Sequence, residues 1–314
     1  MKNEKGKTAV TAPANSLARK RKKLYIGRYV LPYACILPVF ILMAYFTFYP
    51  IYDMIIKSFK TNAIIGEGKW CSWDNYYRLF FIELNFMPAL RNTLIYTIGI
   101  VVSVVFMAVV FAVWLQRSTF INGIAHSLMF LPHLCSGLTI AMVWSWLLDE
   151  RGMFNLVLSW FNVGPLKWLN HSDTSLISIM IVNFWKGVGY YALIMLSAVK
   201  SIPTELLESA RLDEANEFQV ITKVMLPMAK STIVMLMLLS VMSTWNSYFW
   251  PLVMTIHKEY RPLPVGIETL KDLEGGMNWP VIMAGNFILV APILIAFLFF
   301  AKKIIAAMAY RGVK

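Results

Sequence analysis

Runs of mainly apolar residues, parted by short polar clusters, set the limits on this fold. A helix needs about 20 such residues to cross the hydrocarbon core of a bilayer, and the runs at roughly 29–50, 93–115, 124–148, 175–199, 229–254 and 280–302 reach that length. No water is available to backbone amides in that core, so each run has to satisfy its own hydrogen bonds as an α-helix. The 314 residues are 58% hydrophobic and only 15% charged, against about a quarter charged in soluble domains. The expectation is an all-α, polytopic membrane protein, with a basic tail over 1–28 and a six-helix transmembrane domain over 29–314.

The tail sets the orientation. Arg19-Lys20-Arg21-Lys22-Lys23 ahead of an apolar run has the layout of a signal peptide. The run from Tyr29 to Pro50 is, however, longer than a signal core and has no small-residue cleavage site, so it reads as a retained first span. Residues 1 to about 18 read as disordered. With the N-terminus in the cytoplasm, 18 of the 29 Lys and Arg fall on the inner side and 10 on the outer, with Lys186 inside a span. That asymmetry places both termini in the cytoplasm, since six spans return the chain to its starting side. It also accounts for the net charge of +12 without nucleic acid as a partner, because the basic residues are not gathered on one solvated face.

Catalytic and metal chemistry is not written in the sequence. His126, His133, His171 and His257 are scattered without metal-ligand spacing, and Cys35, Cys71 and Cys135 form no framework. There is no Gly-rich loop ending in Gly-Lys-Ser/Thr, hence no P-loop for ATP. No nucleophile or carboxylate pair survives the expected topology in a working arrangement.

One polar interruption, Ser201 to Pro227, separates the fourth run from the fifth on the cytoplasmic side. Pro203 suits the first position of a helix, and Thr204 with Glu205 supplies a polar, acidic first turn. Leu206, Leu207, Ala210 and Glu214 then share one face, with Glu205, Glu208 and Asp213 around it, which describes an amphipathic surface helix rather than a span. Phe218, Ile221, Val224 and Met225 continue at helical spacing, and Pro227 marks a bend before the next apolar run.

This stretch resembles the EAA loop of importer-type ABC permeases, whose pattern is Glu-Ala-Ala, three residues, Gly, nine residues, Ile, one residue, Leu-Pro. Glu208, Ala210, Leu226 and Pro227 meet the pattern, while Ser209, Glu214 and Val224 replace Ala, Gly and Ile. A glutamate enters the φ > 0 region that glycine takes freely only against steric resistance, so Glu214 is where the turn is expected to differ. Ile202-Pro203-Thr204-Glu205-Leu206 and Ala210-Arg211-Leu212-Asp213 are similar to the carbohydrate-uptake (maltose and glycerol-3-phosphate type) branch, and the likeness runs from about Leu31 onward.

The resemblance implies a permease subunit in a bacterial or archaeal cell membrane, importing a sugar, oligosaccharide or glycerol-phosphate-like solute. It implies a second, different permease subunit, two ATPase subunits that bind the ATP and Mg, and an extracellular or periplasmic solute-binding protein; this chain itself holds no cofactor. Glu205, Glu208, Ser209, Ala210, Asp213, Glu214, Phe218 and Pro227 are the residues it implies for coupling to an ATPase, by insertion of a helix into a groove.

Candidates for the solute pathway come from polar and aromatic residues inside apolar runs. Asn183, Trp185, Lys186, Tyr190 and Tyr191 cluster in the fourth run, and Ser243, Asn246 and Ser247 lie in the fifth. Sugar faces stack on aromatic rings and their hydroxyls need hydrogen-bond partners, which this composition offers. The alternative is that Gly187 and Gly189 allow close helix packing while the aromatics fill space. In the third run Pro132 is expected to kink the helix, and His133 is either functional or satisfied by a carbonyl that the proline frees. Trp70 and Trp73 in the first outer loop read as an aromatic belt or as part of a docking face for the binding protein. An ion-gradient-driven secondary transporter would instead carry acidic residues inside spans and an inverted repeat, and neither is evident.

Overall fold

The computed structural model describes residues 30–62, 68–116, 119–255, 257–270 and 278–309. The basic tail and the disorder expected of it lie outside these residues, as do the C-terminal residues 310–314. The chain divides into two compact units, 1–56 and 57–314.

In the first unit α1 (Leu31–Met43) passes through a π-helical stretch, Ala44–Phe48, into α2 (Tyr49–Ser58), whose last two residues belong to the second unit. Pro38 lies inside α1 without ending it, and the side chains of α1 are exposed, as suits a helix that meets hydrocarbon rather than water.

The second unit continues with α3 (Asp74–Phe81), α4 (Phe86–Leu115), α5 (Phe120–Leu134), α6 (Gly137–Leu147), α7 (Met153–Trp160) and α8 (Ser172–Lys200). Next come α9 (Thr204–Leu212), α10 (Glu217–Gln219), a π-helical stretch at Val220–Met225, α11 (Leu226–Met228), α12 (Lys230–Trp245), α13 (Phe249–Met254), α14 (Leu263–Thr269) and α15 (Trp279–Ala309). Among the described residues no strand forms beyond an isolated bridge between Lys60 and Trp70, so the fold is all-α as expected.

Two of the expected spans are broken. The run at 124–148 divides into α5 and α6, which meet at 98°. The break falls at Cys135 and Ser136, both in extended conformation (ψ 147° and 133°), whereas Pro132, where a kink was expected, sits within α5. The run at 229–254 stops at Trp245 and resumes as α13. The 16 residues of α12 span about 24 Å, short of the hydrocarbon thickness of about 30 Å. Ahead of α12 the chain bends by 72° between Glu217–Met228 and Lys230–Trp245, close to Pro227 as expected. Among the described residues four helices are long and apolar enough to cross a membrane on their own, and up to six do so if each bent pair is one span.

The core of the second unit is built on α4. Tyr96, Ile100, Val104, Ala108 and Ala112 are buried at every fourth residue and so form one ridge along the helix. This ridge packs chiefly on α8, through Ile179, Val182 and Met195 among others, with α12 alongside and α5 against α8. The residues facing away, such as Ile98, Val102 and Phe106, are large, apolar and exposed, the pattern of helices solvated by lipid.

A second apolar cluster gathers α3, the start of α4, α14 and the start of α15 around Leu79, Phe86, Leu263 and Ile282. Side chains fasten it at its polar edges. Asn75 donates to the carbonyls of Ser58 and Lys60, both at 2.8 Å, and the Thr93 hydroxyl oxygen accepts from Leu263 N–H at 2.6 Å. Trp70 and Trp73 pack on Phe59 and remain exposed. The loop between α6 and α8 is closed by buried Asn155, which donates to the carbonyls of Asp149, Glu150 and Leu166 and accepts from Leu166 N–H and Trp168 Nε1.

Candidate functional site

Helices α4, α5, α8, α12 and α13 line a half-open cavity of about 370 Å³. Of the eight pathway candidates, Asn183, Lys186, Tyr190, Tyr191, Ser243 and Ser247 line it, as does His133. The other two lie elsewhere. Trp185 is about 100° around α8 from Lys186 and sets its ring edge-on to Trp144 at 5.4 Å. Asn246 would share a face with Ser243 if α12 continued, but the helix ends at Trp245; Asn246 is exposed and donates to the Met242 carbonyl at 3.1 Å.

Sequence reasoning missed Ser240, Thr244 and Trp250, which also line the cavity. Ser240, Ser243 or Thr244, and Ser247 recur at helical spacing in an apolar run, and that stripe is the signal that could have found them.

A polar network fixes the wall. The Tyr96 hydroxyl accepts from Asn183 Nδ2 and shares a hydrogen bond with Ser247 Oγ at 3.4 Å. Tyr191 and Ser243 share another at 3.4 Å, while Ser243 Oγ and Thr244 Oγ1 donate back to the Ser240 carbonyl. Ser240 Oγ itself is buried and has no hydrogen-bond partner among the described residues. The aromatic part is equally ordered: His133 stacks on Tyr190 with centroids 4.5 Å apart and planes 9° apart, and Lys186 Nζ stands 4.8 Å from the centroid of the Trp250 ring. The two glycines differ in what they do. A Cβ on Gly189 would lie 1.8 Å from the Met129 carbonyl oxygen, so α5 and α8 touch there only because the side chain is absent, whereas Gly187 lines the cavity. Hydroxyls, an amide, ring faces and one ammonium together form a surface suited to a polyhydroxylated solute.

The second functional element is the loop from Pro203 to Pro227. Pro203 occupies the cap position rather than the first turn, and α9 starts at Thr204. The helix closes in a Schellman motif: Ala215 N–H donates to the Ala210 carbonyl and Glu214 N–H to that of Arg211, both at 3.1 Å. Glu214 takes φ 60° at the position this motif reserves for glycine, so the tight turn is kept in spite of the glutamate. Asn216 then opens α10 through a capping box with Gln219. Leu207, Ala210 and Ala215 turn inward against the helical core, while Glu205, Glu208, Ser209, Asp213, Glu214, Phe218 and Pro227 are exposed. Leu212 and Phe218 are large apolar side chains at 84% and 73% exposure on this otherwise acidic face.

A polytopic helical fold, with a polar cavity among its central helices and an exposed amphipathic loop joining two of them, describes a membrane transport subunit. The chain belongs to the family described as the binding-protein-dependent transport system inner membrane component, whose model matches residues 29–309. Among its relatives is the arabinooligosaccharides transport system permease protein AraP of Halalkalibacterium halodurans, 27% identical over 74% of this chain and 76% of that one. Permease protein AraQ of the same organism is 31% identical over 44% of this chain and 52% of that one. In fold, the chain matches a subunit in the crystal structure of a bacterial alginate ABC transporter in complex with an alginate pentasaccharide-bound periplasmic protein. The TM-score is 0.75 at 23% identity, covering 87% of this chain and 93% of that one.

Proposed function

We propose that this chain is one of two permease subunits of an ATP-driven importer for an oligosaccharide or related polyhydroxylated solute. The cavity formed by α4, α5, α8, α12 and α13 is its part of the translocation pathway, and 203–227 is the cytoplasmic docking element for an ATPase subunit that binds the ATP and Mg. Both termini lie in the cytoplasm, and an external solute-binding protein delivers the solute. The arabinooligosaccharide relatives support the solute class, and the likeness to both AraP and AraQ supports a paired, non-identical permease.

The single observation that carries this reading is the two-sidedness of the loop. Its inner side is packed on the apolar core, and its outer side offers Leu212 and Phe218 among carboxylates to a partner. Cysteine placed at Glu208 in a chain without Cys35, Cys71 and Cys135 should crosslink to the ATPase subunit and resist membrane-impermeant labelling of intact cells. Labelling from outside, or solute uptake by a complex that lacks the ATPase, would overturn the proposal.

A further inference from the structure

We infer that the solute of this cavity is an anionic saccharide whose carboxylate, or ester phosphate or sulfate, pairs with Lys186; the inference rests on the chain being a sugar-importing permease. Lys186 stands at the midpoint of α8, about 21 Å from either end at 1.5 Å per residue, farther than its side chain can snorkel. A cation at that depth is costly unless something compensates it. None of the described residues lining the cavity is acidic, and Lys186 takes part in none of the ion pairs Arg78–Glu83, His171–Asp173 and Arg211–Glu217.

The Trp250 ring attracts the ammonium through its face but brings no negative charge. Gly137 lies beside the ammonium, where an added Cβ would come to 3.7 Å from Nζ, an ordinary contact distance. Around this charge stand the groups that hold a sugar: the Tyr190 and Trp250 rings, the Asn183 amide and the Ser243 hydroxyl. A neutral sugar would engage the rings and hydroxyls and leave the ammonium uncompensated. An acidic one meets every group.

The test is uptake by cells carrying the whole importer, offered uronate oligosaccharides, sugar phosphate esters and sulfated sugars, each beside its neutral counterpart. The expected result is ATP-dependent uptake of an acidic member with its neutral counterpart refused; the class taken up identifies the anion. Lys186→Met should then lower that uptake on the order of tenfold or more, and Lys186→Arg should keep most of it. Recovery of the ATPase with each variant shows that the complex still assembles. Uptake of the neutral counterpart as readily as the acidic solute, or normal acidic uptake by Lys186→Met, overturns the inference and leaves the sugar-permease reading standing. Absence of uptake of any saccharide by the unmodified importer overturns both.

Discussion

Glu214 and Gly189 show how single positions bear on the whole. Glu214 holds φ 60° at the end of α9, a conformation that costs a residue with a Cβ about 1–2 kcal/mol. Glu214→Gly should relieve it and raise the stability of the purified protein by about 1 kcal/mol, after the larger entropy of glycine in the unfolded chain is subtracted, with coupling intact. Thermal unfolding in nanodiscs checks this, and a fall in stability would mean that the Glu214 carboxylate makes a contact worth more than the strain. Gly189 is the opposite case. Gly189→Ala would press a methyl into the Met129 carbonyl, so α5 and α8 must separate, and a loss of about 1–3 kcal/mol is expected. Gly187→Ala, whose Cβ would meet only the Tyr191 ring at 3.7 Å, should leave stability nearly unchanged in the same assay. Lys186 and Asn183 were legible in the sequence because charge and amide groups are anomalous in an apolar run, and Tyr190 because it lies beside them. Ser240 and Trp250 were not, because hydroxyls and aromatics are ordinary in membrane helices and these reach the cavity only through the way α12 and α13 are set.

At the level of elements, hydropathy located the helices and missed their breaks. A run of apolar residues reports burial in hydrocarbon but not direction, so the turn at Cys135–Ser136 looks no different from the helix around it. Pro132 points three residues too early, since a proline can sit inside a helix that its neighbours support. The loop at 203–227 was read more fully because its signals are local: Pro203, Thr204 and Glu205 mark the start of α9 to within one residue and Pro227 the bend, although the equally local capping box of Asn216 and Gln219 was not read. That cap carries a prediction for the element. Asn216→Ala should cost about 1 kcal/mol and loosen α10, seen as faster amide exchange over Glu217–Met225. Arg211→Ala, although it removes the Arg211–Glu217 ion pair at 3.1 Å, should change stability by less than about 0.5 kcal/mol, because both side chains are half exposed and screened.

Across the molecule, the question is how energy taken up at one end could reach a cavity that lies in the middle of the helices. The loop is covalently continuous with both sides of that cavity: α8, which carries Lys186 and Tyr190, leads into it, and α12, which carries Ser240 and Ser243, leads out. Leu207, Ala210 and Ala215 pack it against the same core, so a pull on the loop is transmitted through packed side chains rather than through a slack tether. Docking and solute binding should therefore be separable by mutation. Replacing exposed Leu212 and Phe218 together by Ser removes the apolar part of the proposed docking face, and neither residue lines the cavity. ATP-driven uptake should fall at least about tenfold, in line with the loss of two buried apolar anchors at a partner surface. Solute binding to the detergent-purified importer, read by Trp fluorescence, should stay within about twofold of the unmodified protein, the change expected of an uncoupled site. Loss of binding along with uptake would show instead that the loop holds the cavity in shape.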